Sequence, residues 1–239
     1  MDEFFKKLGH MGGEVFNRGR WYWKSSVGDE NVALKSEYIL GKSIALDIIS
    51  GISIDTNPEL NELVQDVGDS LEYPLKNKHR KFHFYIQYTE DINAYALPGG
   101  FIFITYGLLN QIKDNVDELA FVLGHEMMHV VLRHPIQKVF SKFGTKVMNV
   151  VLSKYTKMGA LSKQLLNQFI DSNYSQEKEF EADAGGLALM KAGGFEAKGA
   201  RDLLLRIGQI SKNGNIMLNY FSTHPTINER IKRIMNKVK

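Results

Sequence analysis

Along the chain, apolar residues recur with a helical period almost everywhere, and the exceptions fall in one short region. From Asn31 to Ile49 the positions Val32, Leu34, Ile39, Leu40, Ile44, Leu46 and Ile48 suit a helix. TNPELNELVQDVGDSL, residues 56–71, predicts another, with Asn57 as its N-cap and Pro58 in the first helical position. The period then changes. KFHFYIQY, residues 81–88, is aromatic and β-branched and predicts a strand. NAYALPGGFIFITYGLL, residues 93–109, predicts two short extended pieces around Pro98-Gly99-Gly100, then a helical turn. A proline inside a strand-like run favours a sheet edge. Downstream the helical period returns, with helices expected near 115–133, 136–170 with a break near Gly159, 175–192, 196–211 and 226–238. Residues 1–30, with RWYWKSSVGDE, read as an arm packed on the main body. The fold class expected is α+β and mainly helical, with a small sheet early in the chain. Residues 1–80 read as a helical segment packed on a core of residues 81–239, in one structural domain.

One of these helices breaks the rule that buried helices avoid charge. VLGHEMMHVVL, residues 122–132, is apolar nearly all round, yet carries His125, Glu126 and His129 in its middle. Buried polar groups need partners. Two histidines at i and i+4 share one helical face, one turn apart, and can bind one divalent ion. Glu126 stands beside His125 and can reach a water at the same ion. This is the H-E-x-x-H pattern of zinc metallopeptidases. Asn115 and Glu118 form a candidate capping box that starts the helix where the motif needs it.

Composition narrows the ligands. The chain has 239 residues and no cysteine, so any metal is held by His, Asp or Glu. A catalytic zinc takes three protein ligands and keeps one position open. His134 is one candidate, but it stands at the expected helix end before Pro135 and is expected to point away from the pair. YSQEKEFEADAGG, residues 174–186, is the stronger one, because Glu179 and Asp183 lie at i and i+4. Glu179 would bind metal while Asp183 orients a ligand histidine. On spacing alone Glu177 and Glu181 compete with Glu179. Gly185 and Gly186 would let this helix approach another closely.

Taken in order, NAYALPGGFIFITYGLL, DELAFVLGHEMMHVVLRH, EKEFEADAGGLALM and STHPTINERIKRI resemble the M48 family of zinc metalloendopeptidases, within the gluzincins. The likeness is closer to the soluble or periplasmic, BepA-like and OMA1-like branch than to the multi-spanning one. It spans residues 93–233, and residues 1–80 match only loosely. The resemblance implies a zincin-like core whose edge strand flanks the active-site helix. It implies one Zn²⁺ per chain on His125, His129 and Glu179, with Glu126 catalytic and Asp183 supporting. It also implies an active-site role for His224, with Arg230 assisting. In place of the Ser-Arg often found before this glutamate, the chain has Ser175-Gln176. Thr226 and Glu229 form a capping box placing His224 just before a helix.

The expected substrates are polypeptides, unfolded or misassembled, seated as an added strand on Asn93, Ala94, Tyr95, Ala96 and Leu97. The alternative is a chaperone or scaffold with the same fold and little or gated proteolysis. A net charge of +3 does not argue for nucleic acid. The basic last helix (Arg230, Lys232, Arg233, Lys237, Lys239) reads as a solvated face, with peripheral attraction to an anionic membrane as the alternative. No run nears the roughly 18 apolar residues of a membrane span. The N-terminus lacks signal-peptide features, so the expectation is either a protein that acts where it is made or one whose targeting segment was removed. In the latter case the cell envelope or a membrane surface is expected. Oligomeric state has no sequence signature.

Overall fold

The computed structural model describes residues 30–75, 80–143, 173–212, 224 and 227–237. The arm at residues 1–29 and the break near Gly159 lie outside the described residues. Helices α1 (Glu30–Gly51) and α2 (Pro58–Glu72) come first, followed by strands β1 (His83–Gln87), β2 (Ala94–Leu97) and β3 (Phe101–Thr105). Then come α3 (Tyr106–Ile112), α4 (Val116–Val131), α5 (His134–Phe143), α6 (Gln176–Ala192), α7 (Lys198–Lys212) and α8 (Ile227–Lys237). The architecture is α+β and mainly helical, as the periodicity implies.

Local chemistry sets several boundaries. Asn57 caps α2, its side chain accepting from Glu59 N and Leu60 N, with Pro58 in the first turn. Asn115 caps α4 in the same way, accepting from Asp117 N and Glu118 N. The second half of the expected box differs: Asn115 Nδ2 donates to Glu118 Oε1 at 3.1 Å, while the Asn115 backbone N–H goes to Ile112 O. Glu118 is thereby free to accept from Arg206 Nη2 at 2.8 Å, tying α7 to the start of α4.

The sheet has the order β1-β3-β2. β3 runs parallel to β1 and antiparallel to β2, in the register Tyr95↔Phe103 and Ala96↔Ile102. Among the described residues β2 is therefore an edge, as Pro98 suggests. Between β2 and β3 the chain turns through Gly99 and Gly100, at φ +79° and +100°, where a side chain would be strained. Helix α1 lies against this turn: a Cβ at Gly41 would collide with the Pro98 carbonyl. Glu37 accepts from Gly99 N at 3.2 Å and pairs with Arg80 at 3.1 Å, and Arg80 donates to Val130 O at 3.0 Å. Glu37 and Arg80 together thus join α1, the sheet turn and the last turn of α4.

The core forms on both faces of the sheet. Ala94, Ala96, Ile102 and Ile104 pack toward α4, whereas Tyr95, Leu97, Phe101 and Phe103 pack toward α1 and α5. Helix α4 is buried from Glu118 to Val130. That explains a helix that is apolar nearly all round. The expected 136–170 helix is reported only in its first part, as α5, with residues 144–172 outside the described residues.

Candidate metal centre

Helices α4 and α6 cross at glycines. A Cβ at Gly186 would stand 2.9 Å from His125 N, and one at Gly124 would stand 3.2 Å from Gly186 O. Small residues on both sides let the backbones meet. The crossing brings the inward face of α4 against that of α6, one turn along from the glycines.

At that point four donors converge: His125 and His129 from α4, Glu179 from α6, and His224 from the segment ahead of α8. All four are buried, and their candidate ligand atoms lie within 4.8 Å of one another. His125 Nε2 is 3.0 Å from His129 Nε2 and 3.5 Å from Glu179 Oε2, and His129 Nε2 is 3.4 Å from Glu179 Oε1. His224 Nδ1 stands 3.1 Å from both Glu179 oxygens and 3.3 Å from His125 Nε2. Two atoms each about 2.0–2.1 Å from one tetrahedral ion lie about 3.3–3.4 Å apart. The observed separations fit a single divalent ion, and a set of imidazoles and a carboxylate suits a transition metal of borderline hardness. Of the three competing glutamates, Glu179 is fully buried here, Glu177 is exposed, and Glu181 is turned toward His134.

The surrounding groups fix the ligands. Asp183, one turn beyond Glu179, places Oδ1 3.0 Å from His125 Nδ1. That directs the His125 hydrogen to Nδ1 and leaves Nε2 facing the centre. Arg230 in turn holds Asp183 with both prongs, Nη2 to Oδ1 at 2.7 Å and Nε to Oδ2 at 2.8 Å. Its Nη1 is 3.3 Å from Glu179 Oε2. Arg230 is 0% exposed, so it belongs to the site and not to the solvated basic face expected of the last helix. Lys232 does stay exposed there, paired with Glu229 at 2.7 Å. The capping role of Thr226 falls outside the described residues.

His134 corrects another expectation. It does not point away: its Nδ1 lies 2.9 Å from His129 Nδ1, and its ring is buried. The chain reverses at Leu132-Arg133, with Arg133 at φ +62°, and His134 opens α5 instead of closing α4. Tyr174, which carries no signal in the sequence beyond an aromatic ahead of a helix, stacks on the His129 ring with centroids 4.2 Å apart.

The electrostatics call for positive charge at the centre. Burial alone would raise Glu179, but His224, Arg230 and hydrogen bonds from His125 and His129 hold it well below the ordinary carboxylate value. Burial likewise opposes ionisation of Asp183, and Arg230 and His125 overcome it. Burial and Arg230 push His125 down, yet its hydrogen bonds to Asp183 and Glu179 win and carry it to about 9. Burial dominates at His129, which is lowered well below the histidine value and so keeps a neutral imidazole. Protons and metal compete for the same nitrogens. Glu126 is 1% exposed and, among the described residues, its oxygens accept no hydrogen bond; His224 Nε2 is 3.3 Å from Oε1.

The substrate-strand candidates are in place as an edge, with side chains buried: Asn93 at 3%, Ala94 at 0%, Tyr95 at 4%, Ala96 at 2% and Leu97 at 0% exposure. Because Thr105 N donates to Asn93 O, the register makes 93–105 and 95–103 the hydrogen-bonded pairs. The backbone groups of Ala94 and Ala96 therefore face away from β3, toward the edge.

Known proteins are similar to this chain. The mitochondrial metalloendopeptidase OMA1 of Schizosaccharomyces pombe is 35% identical over 143 residues, covering 59% of this chain and 42% of that protein. The beta-barrel assembly-enhancing protease of Yersinia pestis is 26% identical over 218 residues, 86% of this chain and 44% of that protein. Metalloprotease LoiP of Escherichia coli is 27% identical over 187 residues, 76% of this chain and 72% of that protein. The chain spans less than half the length of the mitochondrial relatives it matches. The sequence model of peptidase family M48 covers residues 55–238, which includes α4, α6, β2 and His224, and on that match the chain belongs to peptidase family M48.

Proposed function

We propose that this chain is a zinc-dependent endopeptidase acting on unfolded or misassembled polypeptides, with Glu126 as its general base. The observation that carries the reading is the convergence of His125, His129, Glu179 and His224 on one buried point with the Glu126 carboxylate alongside. His125, His129 and Glu179 would hold one Zn²⁺, oriented by Asp183 and Arg230. A zinc ion held there supplies Lewis-acid chemistry, polarising a carbonyl and lowering the pKa of water from about 15.7 toward about 7. Glu126 takes the proton from the attacking water and delivers it to the leaving amine. Among the described residues its carboxylate accepts no hydrogen bond, so its lone pairs remain available for that proton. His224, with Nδ1 toward the centre and Nε2 3.3 Å from Glu126 Oε1, would help stabilise the developing oxyanion.

The substrate class rests on the edge. An extended peptide adds to β2 through main-chain hydrogen bonds, using the outward groups of Ala94 and Ala96. Buried side chains along β2 are no obstacle, since the pairing is between backbones. Folded proteins offer few free strands of this kind, which favours unfolded ones, and the Yersinia relative is named for its part in barrel assembly. No helix among the described residues is long and apolar enough to cross a membrane, and partners beyond polypeptides have no support among them.

A second reading, a scaffold with tightly gated proteolysis, is favoured by one feature: Glu126 and every ligand are at most 1% exposed. Casein cleavage separates the two. The endopeptidase reading expects cleavage that a chelator abolishes and Zn²⁺ restores. Zinc-loaded protein that never cleaves would favour the scaffold. In the same assay Ala96→Pro removes one outward N–H without touching the β3 ladder. It is expected to lower kcat/KM about 10-fold, equivalent to one hydrogen bond of about 1–1.5 kcal/mol. Unchanged cleavage would detach β2 from substrate binding.

A further inference from the structure

We propose that His134 is a positioning residue for the metal, acting through the second nitrogen of His129; the inference rests on the metal-site reading above. His125 has an evident orienting partner in Asp183. Among the described residues, no carboxylate stands at His129 Nδ1. What stands there is another imidazole: His134 Nδ1, 2.9 Å away, with the two rings nearly edge to face at 68°. Both rings are fully buried.

Two imidazole nitrogens at that separation make a hydrogen bond only if one carries the hydrogen and the other offers a lone pair. His129 must present its Nε2 lone pair to the centre, so its hydrogen is on Nδ1 and points at His134. His134 then has to accept at Nδ1, which puts its own hydrogen on Nε2. The charge around it agrees: Glu181 Oε2 lies 3.3 Å from His134 Nε2, a close contact without hydrogen-bond alignment that favours a hydrogen on Nε2. Glu181 follows Glu179 by two residues on α6. His129 therefore donates to His134, and the far nitrogen of His134 stands beside a carboxylate. This arrangement complements the chain Arg230, Asp183, His125 on the opposite side of the centre.

The fold is arranged for this contact. A helix continuing past Val131 would carry residue 134 away from His129. The left-handed conformation of Arg133 breaks the helix, and α5 starts with His134 folded back under the previous turn. Tyr174 closes the remaining face of the His129 ring by stacking, with Lys138 Nζ 4.3 Å from the tyrosine centroid. The His129 ring is thus held at its edge by His134 and over its face by Tyr174.

The test is metal affinity of the full chain, measured by competition with a chromophoric chelator for Zn²⁺, together with the absorption spectrum of the Co²⁺-loaded protein. His134→Phe keeps a ring and removes the acceptor. It is expected to weaken Zn²⁺ binding about 10–100-fold, the usual effect of losing an orienting partner, and to alter the Co²⁺ bands. Asn places its oxygen where Nδ1 was, while Gln carries the same amide one methylene further out. His134→Asn is therefore expected to retain affinity within a few-fold of wild type and to bind at least about 5-fold tighter than His134→Gln. The Asn–Gln comparison decides the matter even if the Phe variant fails to fold. Equal affinity of the Asn and Gln variants, or wild-type affinity with an unchanged Co²⁺ spectrum in His134→Phe, would overturn the inference and leave the metal site standing. A wild-type chain that takes up neither metal would remove both.

Discussion

Replacing Glu126 with Gln is expected to lower kcat for casein-derived peptides about 10²–10⁴-fold, with bound zinc and stability close to wild type. The reasoning is local. Glu126 lies on α4, 1% exposed, and among the described residues its oxygens accept no hydrogen bond; His224 Nε2 stands 3.3 Å from Oε1. The amide is isosteric but cannot accept a proton at neutral pH. Because Glu126 accepts no hydrogen bond among the described residues, removing its charge strands no donor that it satisfies. Binding of a non-hydrolysable peptide should be unchanged, so the loss appears in kcat and leaves KM nearly constant. Single-turnover cleavage measured beside zinc content would show this. A variant that cleaves within about threefold of wild type would take the proton-transfer role away from Glu126.

The second large effect falls on stability. Arg230→Met is expected to destabilise the protein by about 3–5 kcal/mol, because it leaves buried carboxylates without their cation. Arg230 touches both: two hydrogen bonds to Asp183 at 2.7 and 2.8 Å, and Nη1 3.3 Å from Glu179. Arg230→Lys should recover less than half, since a single ammonium cannot reproduce the planar fork. Asp183 and Glu179 are both held below their ordinary values, so each contributes stability that is full above the ordinary carboxylate range near pH 4. That contribution is lost as pH falls through the lowered folded values. Chemical denaturation of metal-free wild type and variant at several pH values measures this. The gap between them should close on acidification. A gap that stays constant with pH would mean that Arg230 acts by packing alone.

The parts of the fold that were legible in the sequence are those written in local chemistry. Asn57 with Pro58, Asn115 at the head of α4, and the glycine pair after Pro98 each announce a boundary through their own backbone preferences. His125, Glu126 and His129 stood out because charge inside an apolar helix is costly without a common partner. Spacing does not distinguish Glu179 from Glu177 and Glu181; the family resemblance does, and tertiary burial agrees with it. His134 departs from the expectation for a definite reason. The reversal at Arg133 uses a left-handed conformation at a residue that is not glycine, so nothing in the composition marks it. Arg230 looks like its basic neighbours on α8 by periodicity and charge; only the family resemblance sets it apart in the sequence, and its contacts with Asp183 and Glu179 give that a physical basis. The pairing of β1 parallel to β3, with β2 outside, is likewise a tertiary choice that strand patterns do not encode.

Metal content of purified wild type and Glu179→Gln, by elemental analysis after dialysis against trace zinc, tests most directly whether α4 and α6 share one ion. Wild type should retain about one equivalent of Zn²⁺ per chain, and the variant should lose most of it at the same free zinc. Full occupancy in Glu179→Gln, or none in folded wild type, would contradict the centre described above.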